Sequence, residues 1–320
     1  VQAKLEGETL LRLPLVRLEA IVVFGNVSVS PFLVHRCAQD GRRLIWLTSY
    51  GRFRAAVRGP IQGNVLLRRA QHQALSDAEQ TMDIARQMVA GKMQNCRRTL
   101  VRARRESDEE RDRRMLQGAA DYMAEIIERL PDINDLNVLR GAEGDAAREY
   151  FGIFSLMLSR NRSYFNMTGR TRRPPRDPLN SLLSFLYTLL CSECASAAEA
   201  VGLDPQVGYL HALRSGRPAL ALDLMEEFRS LLADRFVLSL INRQQIQEKH
   251  FEERPGGSVY LTDKGREILL KAYQKRKEDQ ITHRVVGRKV PIGLIPHVQA
   301  TLLARHLRGD LTHYPPFLYR

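Results

Sequence analysis

The periodicity of the chain changes once, near residue 74, and that change divides the fold into two unlike parts. Before it, apolar residues come in short alternating or continuous runs. LLRLPLVRLEAIVVFG is one, and GRRLIWLTSYGRFRAAVRG holds two more around a hairpin-like Tyr50-Gly51. Between them, SPFLVHRCAQD predicts one short helix, with Ser30 as its cap and Pro31 at its first position. From about residue 74 the spacing is helical. A Ser76-Asp77-Ala78-Glu79 capping box opens a long helix, and 108–129, roughly 144–160 after a GAEG turn, and the apolar segment from Pro178 predict others. ALDLMEEFRSLLADRFVLSLI continues the series, GGSVYLTDKGREILLKAYQKRK reads as β-turn-β leading into a helix, and IPHVQATLLARHLRGD closes it. The expected fold is α+β: a small β-rich domain over 1–73 and a larger all-α domain over 74–320.

Composition narrows the class. A length of 320 residues suits two domains, and 44% hydrophobic with 27% charged residues is a globular balance. No apolar run approaches the roughly 20 residues a bilayer span needs, so a membrane protein is not expected. No signal peptide is expected, and the chain opens on Val1 in strand-like sequence, as if its start were missing. Four scattered cysteines (Cys37, Cys96, Cys191, Cys194) do not make a disulfide framework, and a reducing cytoplasm is expected. Charge says more: 49 Lys and Arg against 36 acids give +13, which favours a polyanionic partner such as nucleic acid. Residues 1–73 hold eleven of the bases and only four acids.

Three segments carry residue types suited to chemistry. In HALRSGRPALALDLMEEF (211–228), Asp223 and Glu226 lie three apart, on one face of a helix, with His211 upstream in a Gly- and Pro-bounded stretch. In GAEGDAAREYF (141–151), Glu143 stands between two glycines that let something bulky approach the backbone. Taken alone, each acid is better explained as a helix-start acid or a solvated edge, and a lone histidine as a structural one. Together, two or three carboxylates and one imidazole form a mixed oxygen and nitrogen donor set that suits Mg2+ or Mn2+ and does not exclude zinc. The third segment is NRSYFNMTGRTRRPPRDP (161–178); the stretch from Arg160 to Arg176 has six arginines and no acid: Arg160, Arg162, Arg170, Arg172, Arg173 and Arg176. Guanidinium forks grip phosphates, and Tyr164 and Phe165 offer faces for an unpaired base; a functionless basic loop is the alternative. Cys191-Ser-Glu-Cys194 lies inside an apolar helix and reads as buried thiols. VYLTDKGREIL (259–269) is wing-like. Walker A, Rossmann, GxSxG and HExxH patterns are absent.

Several long blocks in order carry a resemblance: LRGAEGDAAREYF, FNMTGRTRRPPRDPLNSLLSFLYTLL, GYLHALRSGRPALALDLMEEFR, VYLTDKGR and LLARHLRGDLTHYPPFL. Through them the chain resembles the CRISPR-associated adaptation integrases, metal-dependent DNA endonucleases that insert new spacers, with a subtype I-C flavour. The resemblance implies a β-sandwich-like N-terminal domain used for dimerisation and a helical catalytic domain. It implies a metal held by Glu143, His211 and Glu226, with Asp223 as accessory acid; relatives often carry Asp where Glu226 stands and Pro where Ser230 stands. It further implies attack by a prespacer 3′-hydroxyl on a phosphodiester at a CRISPR repeat. The partners it implies are double-stranded DNA with single-stranded 3′ ends, CRISPR repeat DNA, a second copy of the chain and a small ferredoxin-like adaptation protein. The rival reading is a non-enzymatic winged-helix-like DNA-binding regulator, which needs no metal.

Overall fold

The computed structural model describes residues 1–320 apart from 19, 50–52, 58, 60–63, 172–173 and 320. The chain forms two compact units, Val1–Gln62 and Gly63–Arg320. The first is a small strand region and the second is mostly helical, as the α+β reading expects.

In the first unit, β1 (Gln2–Leu5) and β2 (Glu8–Arg12) form an antiparallel hairpin. Its turn places Glu6 and Gly7 at φ 50° and 89°, the left-handed pair that a tight two-residue hairpin requires. A second sheet has the order β3 (Ala20–Phe24), β4 (Arg43–Leu47), β5 (Phe53–Val57). Strands β3 and β4 are parallel, so the chain needs a crossover, and helix α1 (Pro31–Gln39) supplies it. Ser30 caps α1 by accepting the Leu33 N–H at 3.3 Å. Strands β4 and β5 are antiparallel; the Tyr50-Gly51 turn lies outside the described residues.

The second unit begins earlier than periodicity suggested. Helix α2 (Val65–Ser76) occupies sequence read as β-rich, because Asn64 caps it and Leu67, Gln71 and Ala74 bury one face. The next helix, α3 (Ala78–Glu106), is capped one residue later than expected: Asp77, not Ser76, accepts the N–H groups of Glu79 and Gln80. Ser76 ends α2 and donates to the His72 carbonyl.

Helix α3 is the axis of this unit. It packs on α4 (Glu110–Arg129), α5 (Leu136–Gly152) and α7 (Ala219–Arg229). Its buried stripe of Ile84, Ala85, Met88, Val89, Met93, Cys96 and Leu100 follows helical spacing. The same face also buries Lys92 and Asn95. Helix α6 (Pro178–Ala200) packs on α7 and α10 (Ile295–Leu307). With 23 residues and a mean hydropathy of 1.3 it is long and apolar enough to cross a membrane, contrary to the sequence reading, but 67% of that stretch is buried inside the protein. Helix α8 (Arg235–Asn242) follows α7 through one wide turn of π-helix. Three further elements complete the unit: the hairpin β6–β7 (Phe251–Arg254, Ser258–Leu261), helix α9 (Asp263–Glu278), and the hairpin β8–β9 (Gln280–His283, Arg288–Pro291).

Behind α7 the C-terminal segment closes the core. Glu227 is buried and accepts hydrogen bonds from the Tyr314 hydroxyl (2.7 Å), the Phe317 N–H (2.6 Å) and the Gln299 amide (3.1 Å). From α3, Asn95 donates to the carbonyls of Glu227 and Phe317. Burial pushes the Glu227 carboxyl up to about 8 against the pull of these donors. It is therefore a core group, not part of the acidic edge that the sequence suggested.

Candidate metal and phosphoryl-transfer site

Helix α5 runs straight through GAEG, where the sequence reading placed a turn and a helix start. Asp135 caps the helix through the Asn137 and Val138 N–H groups, and Leu139, Ala146, Tyr150 and Phe151 bury its inner face. That packing outweighs the roughly 1 kcal/mol each mid-helix glycine costs. Around Glu143 the outer surface is bare: a Cβ built on Gly141 or Gly144 would meet nothing within 4 Å.

Glu143 meets Glu226 of α7 through a cation that sequence reasoning missed. The Lys92 ammonium bonds Glu143 Oε1 and lies 2.7 Å from Glu226 Oε2. On the other side of Glu226, Arg229 Nη1 straddles both carboxylate oxygens at 2.7 and 2.8 Å. Burial alone would raise the Glu226 carboxyl, but Arg229, Lys92 and His211 overcome it and hold the group well below the usual carboxylate range. Burial likewise opposes the charge on Lys92, and Glu226 and Glu143 more than restore it. The Arg229 guanidinium rests over the Tyr187 ring, 4.3 Å from its centroid. Tyr187 and Tyr150 donate to buried Asp234, the last residue of the π turn.

His211 lies on the loop the sequence predicted. Asp223 holds it from α7: Oδ1 accepts the His211 N–H (2.9 Å) and faces Nδ1 (2.7 Å), while Oδ2 accepts the N–H groups of Tyr209 (2.6 Å) and Leu210 (3.0 Å). A carboxylate on Nδ1 fixes the tautomer with the proton there and leaves Nε2 as a lone-pair donor. Four protein donors occupy Asp223 and give it the geometry of a group that orients His211. Two further anchors fix this loop. Arg140, one turn before Glu143, donates to the Leu210 carbonyl at 2.5 Å, and Gln71 of α2 bonds Asp204 and Val207. Gly208 is needed for the close approach, since a Cβ there would sit 2.6 Å from Asp223 Oδ2.

Among the described residues, no three His, Cys, Asp or Glu side chains already form a metal-binding group. The donor chemistry nevertheless fits a hard divalent ion. Two carboxylates already share one cation, and a nearby imidazole has its Nε2 free of Asp223.

The arginine loop divides. Arg162 pairs with Asp112 and donates to the carbonyls of Leu158 and Leu156. Arg170 bonds Asn180 and lies over Tyr187 and Phe151. Arg176 donates to the Gly256 carbonyl. Phe165 is buried against Tyr164 and Phe251, so it presents no face to a base, whereas Tyr164 stays half-buried. Arg160 is exposed; Arg172 and Arg173 lie outside the described residues. What looked like one basic groove is in large part the internal wiring of the domain. Lys92 and Arg229 had a sequence signal of their own: each is a cation on the buried, largely apolar face of a helix.

The fold, a small strand region followed by a helical domain, recurs in solved structures. A Cas1 protein from Thermotoga maritima superimposes with a TM-score of 0.79 at 26% identity, over 93% of this chain and 88% of that one. A casposase bound to an integration product superimposes at 0.80 with 21% identity, over 93% of this chain and 81% of that one, and shares the fold. A chain of a partial Cas6-RT-Cas1–Cas2 complex gives 0.69 at 25% identity, over 100% of this chain and 93% of that one.

Residues 1–275 match the family described as CRISPR associated protein Cas1, and the chain belongs to that family. It is 53% identical to a CRISPR-associated endonuclease Cas1 of Moorella thermoacetica over 320 residues, all of this chain and 93% of that protein. A second, from Chlorobaculum tepidum, is 48% identical over 309 residues, 97% of this chain and 90% of that protein.

Proposed function

We propose that this chain is a metal-dependent DNA endonuclease and integrase of CRISPR adaptation, of subtype I-C character. One observation carries the proposal. Glu143 of α5 and Glu226 of α7 converge on a single cation, Lys92 Nζ, while Asp223 of α7 orients His211, whose ring acts electrostatically on Glu226. Bringing two carboxylates together is unfavourable without a compensating cation, and Lys92 supplies one from α3.

Glu143, Glu226 and His211 would hold Mg2+ or Mn2+. A bound ion supplies Lewis-acid polarisation of a phosphodiester and lowers the pKa of an attacking hydroxyl or water. Asp223 holds the imidazole through Nδ1 and leaves Nε2 to face the ion. Arg229 keeps Glu226 ionised. Lys92, anchored on α3, keeps positive charge beside the reacting phosphate. A prespacer 3′-hydroxyl attacks a phosphodiester at the edge of a CRISPR repeat; one P–O bond forms, one breaks, and the departing 3′-oxygen takes a proton. With water in place of the hydroxyl, the same exchange nicks DNA. No protein nucleophile is required.

The proposed partners are repeat DNA, prespacer duplex with single-stranded 3′ ends, a second copy of this chain, and a small ferredoxin-like adaptation protein of the Cas2 kind. The proposed compartment is the cytoplasm. The test is strand transfer of a labelled prespacer into repeat DNA, with the purified partner and Mn2+. Glu143→Gln and His211→Ala should abolish transfer and leave duplex binding nearly intact. Full transfer by His211→Ala, or transfer that survives EDTA, rejects the reading. A non-enzymatic DNA-binding regulator would show duplex binding in EDTA and no transfer under any condition.

A further inference from the structure

Residues 280–309 contain no acid, although Arg284, Arg288, Lys289, Arg305 and Arg308 all fall within them. Arg305 and Arg308 are answered by Asp310. The other three sit on the β8–β9 hairpin, are exposed, and have no ion-pair partner among the described residues. Between the strands, the Arg284–Gly287 turn carries Val285 and Val286, 49% and 41% exposed. The hairpin lies beyond the residues matched to the family.

The strand register gives these charges a geometry. Thr282 pairs with Lys289 and His283 with Arg288. Neighbours on a strand project to opposite faces, so Arg288 and Lys289 put one cation on each side of the ribbon, and Arg284 adds a third at its tip. A two-stranded ribbon fits the major groove of B-form DNA, about 12 Å wide, where phosphates line both walls. A-form RNA has a deep, narrow major groove that excludes such a ribbon.

The base of the hairpin is fixed. His283 is buried, stacks near Phe317 with ring centroids 5.8 Å apart, and bonds the Gln299 side-chain oxygen at 3.0 Å. Gln299 in turn donates to Glu227, the neighbour of Glu226 on α7. The Ile292 N–H closes the ribbon onto the Asp279 carbonyl at 2.8 Å. The tip is thus carried on a root tied to the helix that bears Glu226.

We infer that the β8–β9 hairpin is a duplex-DNA arm that enters the major groove and contacts phosphates on both walls through Arg284, Arg288 and Lys289. The inference rests on the integrase reading for the identity of the polyanion, but its test does not use catalysis. The full chain is titrated in EDTA with a fluorescent 30-base-pair DNA duplex over a range of salt concentrations, in parallel with an RNA duplex of the same length. Arg284→Gln/Arg288→Gln/Lys289→Gln should weaken DNA binding on the order of tenfold and flatten the log–log salt slope by about 2 to 3. RNA binding and melting temperature should barely move. A second variant, Arg284→Lys/Arg288→Lys, should keep the wild-type slope. An unchanged slope in the triple variant overturns the inference, as does an equal loss for RNA. If the wild type binds no DNA at all, the integrase reading itself fails; if wild type and triple variant bind alike, only the hairpin arm does.

Discussion

Lys92 Nζ lies 2.7 Å from Glu226 Oε2, with the two side chains 5% and 4% exposed, and the same nitrogen also bonds Glu143. A buried pair of this kind is costly to break, about 3–5 kcal/mol when one partner is removed. Lys92→Met should therefore lower the melting temperature of the protein in EDTA. It should also strengthen Mn2+ binding, because ammonium and divalent ion compete for the same carboxylates. The measurement is the Mn2+-induced rise in melting temperature, which should be larger in Lys92→Met than in wild type. An equal or smaller rise removes the competition argument.

Asp223 accepts four hydrogen bonds from the loop that carries His211. Replacing one oxygen by an amide turns an acceptor into a donor facing N–H groups and leaves at least one of them unsatisfied. Asp223→Asn should lose about 1–3 kcal/mol of stability and cut strand transfer nearly as deeply as His211→Ala. Gly208→Ala should reproduce the phenotype by steric means, since its new methyl would press on Asp223 Oδ2. Urea melts and transfer assays on the three variants check this. A Gly208→Ala protein with normal transfer would show that the loop has room to spare.

The two-part fold was legible because period-2 and period-3.6 patterns do not mix, and Glu143, His211 and Glu226 were legible as residue types in motif-like settings. Their exact surroundings were not. Gly141 and Gly144 read as a turn, yet the Asp135 cap and the Leu139, Ala146, Tyr150 stripe hold α5 helical through them. Glu226 and Glu227 are adjacent, but neighbouring helix positions face about 100° apart, so Glu227 turns toward the C-terminal segment and Glu226 toward Lys92. Lys92 pairs across 51 and 134 residues of sequence, a separation that no local pattern encodes.

The arginine loop gives a prediction that differs between neighbours. Arg162 is tied to Asp112 and two carbonyls, and Arg170 lies over two buried rings. Alanine at either position should destabilise the domain, on the order of 1–3 kcal/mol, with little change in the salt slope of DNA binding. Arg160 is exposed; Arg160→Ala should leave stability within about 0.5 kcal/mol and flatten the slope by about 1. Thermal melts and salt titrations on the three variants separate the roles, and a flattened slope for Arg170→Ala would return it to the DNA-binding set.

His283 sets a pH dependence with a definite sign. Burial lowers its pKa below the ordinary 6.5, against the opposing pull of the Gln299 oxygen on the N–H form. In the unfolded chain the ring takes a proton near 6.5, whereas in the fold it stays neutral to lower pH. The unfolded state therefore binds more protons in that window, and stability falls as pH drops through 6.5 toward the folded value. Above 6.5 the contribution is fully present. His283→Gln keeps a polar group near Gln299 but cannot titrate. The loss of melting temperature between pH 7.5 and 5.5 should accordingly be greater for wild type than for His283→Gln, because every other titrating group is common to both. Identical losses would mean that the imidazole is protonated within the fold, with its root hydrogen bond to Gln299 strong enough to hold the charge.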